Sequence, residues 1–148
     1  MKQIGNKEIY IEIDLNTYSK NMANLVLIVD GFKLGTLNSP TYIPSFISSL
    51  DSILLEDVYF CENINIDLFY DLVLSGKLES RNNFTLEETF DDFMKRCIRS
   101  RENLYFYFKL YKDHYFNYEN TQENIPIIKT IIIERFNSFL RDLKLYLT

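Results

Sequence analysis

Ile9, Ile11, Ile13 and Leu15 alternate with Glu8, Tyr10, Glu12 and Asp14. This is the period-two pattern of a strand with one buried face. Asn16 to Asn21 supplies turn residues, and the aliphatic run Leu25–Val29 predicts a strand that is apolar on both faces. Asp30-Gly31 follows as a tight-turn signal. Strand, short turn and strand predict an antiparallel hairpin, with the second strand central and the first nearer an edge.

After Gly35 the period changes. Ser39-Pro40 and Pro44 mark a helix beginning near Thr41 or Tyr42, with Pro44 in the first turn, where a missing N–H costs nothing. Ile43, Phe46, Ile47, Leu50, Ile53 and Leu54 fall on one face of it. Residues 66–74 form a second short amphipathic stretch that ends at Ser75-Gly76, a helix C-cap signal. Residues 76–84 read as a loop.

Residues 85–100 support two readings. Phe90, Phe93, Met94, Cys97 and Ile98 match a helix face, and Thr85 with Glu88 matches a capping box. Leu104, Phe106, Phe108 and Leu110, however, alternate with Tyr105, Tyr107, Lys109 and Tyr111 in the clearest strand of the second half. That strand needs a hydrogen-bonding neighbour, and residues 93–100 lie one short turn away. Periodicity alone prefers the helix; the need for a partner selects the hairpin. Towards the C-terminus Asn120 or Asn124 is a cap and Pro126 falls in a first turn. The stripe Ile128, Ile132, Phe136, Phe139, Leu143 and Tyr146 then predicts one long helix, its first half buried on more than one side. Arg141 and Lys144 suit its dipole. The expectation is a single α+β domain over residues 1–148: an antiparallel sheet of about four strands, a helix after the first hairpin, and a long C-terminal helix packed on the sheet.

Composition agrees with one globular domain. The chain has 148 residues, 47% apolar and 25% charged, enough for a sizeable core and too apolar for disorder. Phe and Tyr alone make up the 16% aromatic content, which serves a core or an interface equally well. Two cysteines, Cys61 and Cys97, are too few for a disulfide framework and suit a reducing compartment. No apolar run reaches signal-peptide or membrane-spanning length, so a cytoplasmic protein with no membrane partner is expected.

Charge changes the picture. Between Asp51 and Asp92 there are eleven carboxylates and only two basic residues, Lys77 and Arg81, a formal charge of −9. Residues 1–50 carry four acids and four bases; residues 93–148 carry six acids and ten bases, a charge of +4. A one-signed segment is a statement about partners, and this one suits a basic partner.

Candidate chemistry is sparse. His114, in Asp113-His114-Tyr115, is the only histidine, and no Cys or Ser adjoins it as a nucleophile. Three scattered Cys and His residues do not make a zinc site. Gly31-Phe32-Lys33-Leu34-Gly35 lacks the phosphate-loop pattern, and no calcium loop occurs. Paired acids (Glu56-Asp57, Glu87-Glu88, Asp91-Asp92) are the only general acid/base candidates. Lys95, Arg96, Arg99 and Arg101 cluster beside the aromatic strand. A pI near 4.9 repels a polyanion, so the cluster is expected to partner the acidic block rather than nucleic acid. No catalytic residue, metal or cofactor is predicted.

Residues 27–37 (Leu-Ile-Val-Asp-Gly-Phe-Lys-Leu-Gly-Thr-Leu), the Phe46–Leu50 helix and 88–93 (Glu-Thr-Phe-Asp-Asp-Phe) come in a characteristic order. Residues 103–110 (Asn-Leu-Tyr-Phe-Tyr-Phe-Lys-Leu) and 113–118 (Asp-His-Tyr-Phe-Asn-Tyr) follow. This order resembles small bacterial immunity proteins that neutralise polymorphic or contact-dependent toxins, most nearly the Imm42-like group. The chain departs from the pattern in having no tryptophan after the core of the aromatic strand. The resemblance implies a non-catalytic inhibitor whose partner is a cognate toxin domain with a basic surface. Glu56, Asp57, Glu62 and Asp67, with Tyr107, Tyr111 and Tyr115, are the candidate partner-binding residues. Two other classes stand beside this reading. One is a structural or adaptor domain that forms a homodimer through the edge of the aromatic strand; the other is a carboxylate-dependent hydrolase.

Overall fold

A computed structural model describes residues 1–148 and divides the strands between two antiparallel sheets. The first contains β1 (Lys2–Gly5), β2 (Ile9–Ser19), β3 (Met22–Val29) and β4 (Phe32–Leu34) in that order. A two-residue strand, β5 (Thr41–Tyr42), pairs with the start of β3. The hairpin β2–β3 forms as the alternation predicts, with Ile9 opposite Val29 and Ile13 opposite Leu25. It runs further than expected, turning at Lys20-Asn21, where both φ angles are positive, 54° and 64°. The ladder is irregular between Asp14 and Ser19. There Thr17 Oγ1 donates to the Asp14 carbonyl at 2.6 Å and accepts from the Asn24 N–H at 2.8 Å, so a side chain stands in for missing ladder bonds. Asp30-Gly31 is the turn into β4, with φ values of 45° and 82°.

The second sheet is β6 (Phe93–Arg99), β7 (Asn103–Leu110) and β8 (Ile127–Ile132), in sequence order. The hairpin reading of residues 93–110 therefore holds, and only Glu88–Phe90 keeps a helical turn. One expectation is overturned: Ile127–Ile132 is a strand, and the C-terminal helix begins at Ile133 rather than near Pro126. The Ile-Ile-Lys-Thr-Ile-Ile run is almost wholly β-branched, which suits the pleated sheet, and its two apolar ends coincide with a helical spacing by accident. The self-association route through the aromatic strand fails too, because β7 is bonded on both sides and has no free edge.

Three helices complete the fold: α1 (Ile43–Leu55), α2 (Ile66–Leu74) and α3 (Ile133–Leu147). The α+β class is as the sequence pattern predicts, as are the helix after the first hairpin and the packing of the C-terminal helix on the sheet. α3 lies across β1 and β2 and against α1. Phe136, Phe139 and Leu143 of its stripe are buried, but Tyr146 is 59% exposed, with Lys2 Nζ 5.0 Å from its ring.

The main core joins the two sheets, α1 and α3. β7 separates it from a smaller core: Leu104, Phe106, Phe108 and Leu110 face the main one, Tyr105 and Tyr107 the smaller. α2 closes the smaller core by placing Phe69 and Val73 on those tyrosines, with the Phe69 and Tyr105 rings 5.6 Å apart. The period-two pattern of the aromatic strand thus separates two buried faces rather than one buried and one wet.

Candidate partner-binding surface

α1 ends where Arg99 reaches it. The Arg99 guanidinium donates from Nη1 to the carbonyls of Ile53 and Glu56, satisfying groups left free at the helix end. A tight helical turn follows at Asp57–Tyr59; Tyr59 is buried, and its hydroxyl donates to the Asn83 carbonyl at 2.9 Å. The Phe60 ring lies 5.6 Å from the Arg99 guanidinium, and the Cys61 N–H donates to the Arg99 carbonyl at 2.8 Å. With Tyr59 pinned inward, Glu56, Asp57 and Val58 are held in solvent.

α2 is capped at both ends by its own sequence. Asn65 Oδ1 accepts from the Leu68 N–H at 2.9 Å, and Asp67 sits in the first turn, where a carboxylate suits the helix dipole. At the other end Gly76 takes φ 77°. Its N–H donates to the Val73 carbonyl at 3.1 Å, while the Lys77 N–H donates to that of Leu72 at 3.0 Å. Because Phe69 and Val73 face inward, a second row, Ile66, Tyr70 and Leu74, is left exposed, with Asp67 and Asp71 beside it. Leu55 is 77% exposed, Val58 63% and Leu74 74%. A cleft of about 430 Å³ opens along the helix between Cys61, Ile64, Leu68, Leu72 and Lys77. Exposed apolar side chains and carboxylates therefore share one segment, Leu55 to Leu74, whose backbone is fixed from beneath.

The charges in the block have three different fates. Asp51, Glu62 and Glu79 pair with Lys144, Arg101 and Lys109, all from the basic final third; the other eight acids have no ion-pair partner. The basic cluster is mostly committed to backbone. Lys95 donates to the carbonyls of Phe90 and Phe93, at 2.7 and 2.8 Å. Arg96 donates to those of Leu78, Lys95 and Glu79, and Arg99 acts at α1 as described. Only Arg101 of the four meets a block carboxylate, which corrects the expected acid–base pairing.

Asp92 also acts inside the fold. It accepts from the N–H groups of Tyr115 and Phe116, at 2.8 and 2.9 Å, and from the Tyr118 hydroxyl at 2.8 Å. Burial works to raise its pKa, but these bonds and nearby His114 outweigh it and hold the carboxyl below its ordinary value. Glu87 goes the other way: burial, Glu88 and Asp91 raise it against the Tyr42 backbone bond that lowers it. Glu87, Glu88 and Asp91 border clefts of about 350 and 300 Å³ next to α1 and Tyr115. A carboxylate-dependent hydrolase would have to work there, since Asp92 is occupied and Glu56-Asp57 is splayed into solvent.

The seven residues singled out from the sequence thus separate. Glu56, Asp57, Glu62 and Asp67 lie exposed on the Leu55–Leu74 segment. Tyr107 does not reach the surface: it is 1% exposed under α2, its hydroxyl donates to Glu79 Oε1 at 3.0 Å, and burial followed by Glu79 pushes its pKa up. Tyr111 is 36% exposed at the end of β7, and Tyr115 is 86% exposed in the loop held by Asp92. Sequence reasoning missed Leu55, Val58, Ile66, Tyr70 and Leu74. The signal was present: α2 is apolar round more than half its circumference, and a helix on a sheet buries only one side.

Neither a protein-family model nor a curated protein matches the chain. A solved structure does: CdiI from Burkholderia dolosa AUO158, at a TM-score of 0.59. The likeness covers 97% of this chain and 99% of that one, at 14% sequence identity. CdiI is an immunity protein of contact-dependent inhibition. At that identity the likeness is one of fold.

Proposed function

We propose that this chain is an immunity protein, Imm42-like, that binds a cognate bacterial toxin domain and blocks it without chemistry of its own. It would act in the cytoplasm of the cell that makes the toxin. The observation that carries the reading is the Leu55–Leu74 segment, where unpaired carboxylates and exposed apolar side chains stand together on a fixed backbone. The fold likeness to CdiI supports the class. Division of labour follows from the physics: Glu56, Asp57, Asp67 and Asp71 steer a basic toxin surface into place. Leu55, Val58, Tyr70 and Leu74 are then desolvated and slow dissociation.

Co-expression with the product of the adjacent toxin gene tests the proposal. A one-to-one complex and survival of the cells are expected, with an association rate that falls as salt is added. No complex and no rescue would sink the immunity reading. A complex whose association rate ignores salt would sink its electrostatic part.

A further inference from the structure

The two edges of the second sheet are treated differently. On β6 the outer edge is covered: the Phe84 N–H donates to the Lys95 carbonyl at 3.1 Å and the Cys97 N–H to the Asn82 carbonyl at 3.0 Å. Phe60 bridges to Arg99 further along. No segment covers β8. The Ile133 N–H donates to the Glu102 carbonyl at 2.9 Å, and Ile132 stands opposite Asn103. That phase makes residues 127, 129 and 131 bond to β7 and turns outward the N–H and C=O groups of Ile128 and Thr130 and the N–H of Ile132. The Ile132 carbonyl is taken up by the first turn of α3, of which Ile132 is the N-cap, so these are the groups left free.

Such an edge is a template for another strand, and natural edges are normally blunted by charge or proline. Here Pro126 precedes the strand. The one charge in it, Lys129, lies on the inner face, with its ammonium 3.9 Å from Asp30. The outward-bonding residues carry only Ile, Thr and Ile side chains; Thr130 is exposed, and Ile132 is 54% exposed. The pattern also reads the same in both directions. A two-fold axis through an antiparallel pair keeps each face on its own side, so it must centre on a residue. Centred on Thr130, it pairs Ile128 with Ile132 of the second copy, Thr130 with its counterpart, and Ile132 with Ile128. The central pair can exchange two hydrogen bonds, and in each outer pair the Ile132 N–H can donate to the Ile128 carbonyl opposite it. Centring on Lys129 would instead set two ammonium groups directly opposite, which is destabilising.

We propose that the free edge of β8 is a self-association site, at which a second copy of this chain adds its β8 antiparallel in the Thr130-centred register. The self-complementary sequence selects a copy of the same chain over a charged partner. The interface is small, so the dimer is weak and forms at micromolar concentration or above. This inference does not depend on the immunity reading, since it concerns a different surface and needs no toxin.

Sedimentation velocity over roughly ten to several hundred micromolar tests it. The wild type should pass from the mass of one chain, 17.7 kDa, towards twice that. Thr130→Arg keeps the backbone donor but sets like charges opposite each other. Thr130→Pro removes an N–H that the fold itself leaves unbonded. Both should remain monomeric, with Thr130→Arg melting as the wild type does. Amide exchange at Thr130 and Ile132 should slow as wild-type concentration rises. A wild type that is monomeric throughout overturns the proposal, and so does a dimer that persists in Thr130→Arg with exchange at these amides unchanged.

Discussion

Lys95 offers the sharpest physical test of the fold beneath the acidic block. Its side chain is 5% exposed, and its ammonium is bonded to the carbonyls of Phe90 and Phe93. Burial lowers its pKa, Asp91 raises it, Arg96 lowers it and Asp92 raises it, and the result is about 8 against an ordinary 10.5. Because the folded value is the lower one, the unfolded chain binds more protons between those two values, and stability contributed by this group rises with pH there. From pH about 7 to about 9.5 the gain is roughly 2 kcal/mol at 1.36 kcal/mol per unit. Lys95→Met removes the titration while keeping most of the volume. Its effect at neutral pH is composite, since it relieves a buried charge and leaves two carbonyls unbonded. The pH dependence is not composite. Urea denaturation of both proteins across that range should show the wild type gaining on Lys95→Met by roughly 2 kcal/mol, with the other titrating groups cancelling in the difference. Parallel stability curves would refute the argument, because they would mean that Lys95 titrates as it does in the unfolded chain.

Other substitutions probe the surface and its supports. Leu74 is 74% exposed, so Leu74→Ala should weaken the proposed toxin complex by about 1–2 kcal/mol, a five- to thirtyfold rise in Kd by calorimetry. The melting temperature should not move, because no core contact is lost. Asp92→Asn should lower stability by about 1–2 kcal/mol at neutral pH through weaker charge-assisted bonds to the 115–118 loop. The wild type loses that advantage as pH falls through the depressed folded value, so the two stability curves converge in acid. Gly35→Ala should destabilise by about 2–4 kcal/mol in urea. Its φ is +91°, and an added Cβ would stand 2.6 Å from the Phe90 ring, which is itself stacked on Phe46.

Local periodicity was enough for most elements. Ile9–Ile13, Leu25–Val29 and Leu104–Leu110 each announce a strand, and Ser75-Gly76 marks the end of α2. The sequence misled at Ile127–Ile132, where β-branched residues happen to repeat at a helical interval and only the bonds to β7 decide the matter. It could not separate Tyr107 from Tyr115, since alternation says which side of a strand a ring takes and not what covers that side. Nor could it divide the acids. Asp92 and Glu56 are equivalent letters, yet one receives three hydrogen bonds from a loop more than twenty residues away, and the other receives no side-chain partner. Such long-range contacts leave no local period to read.

The structure gives the one-signed charge of the block a cause. Had Lys95, Arg96 and Arg99 met the neighbouring carboxylates, six of the eleven acids would have been ion-paired within the fold rather than three. They are occupied with backbone carbonyls: those of Phe90 and Phe93, of Leu78 and Glu79, and of Ile53 and Glu56. Each of these bonds fixes a segment that carries block acids, namely the turn before β6, the loop after α2 and the end of α1. The cations therefore hold the acidic segment in place without ion-pairing its carboxylates. Self-repulsion among acids left this way opposes folding. A basic partner that covers them would relieve it. The proposed toxin complex should therefore protect this chain against acidic-surface repulsion most strongly at low salt, where the uncovered charges cost most.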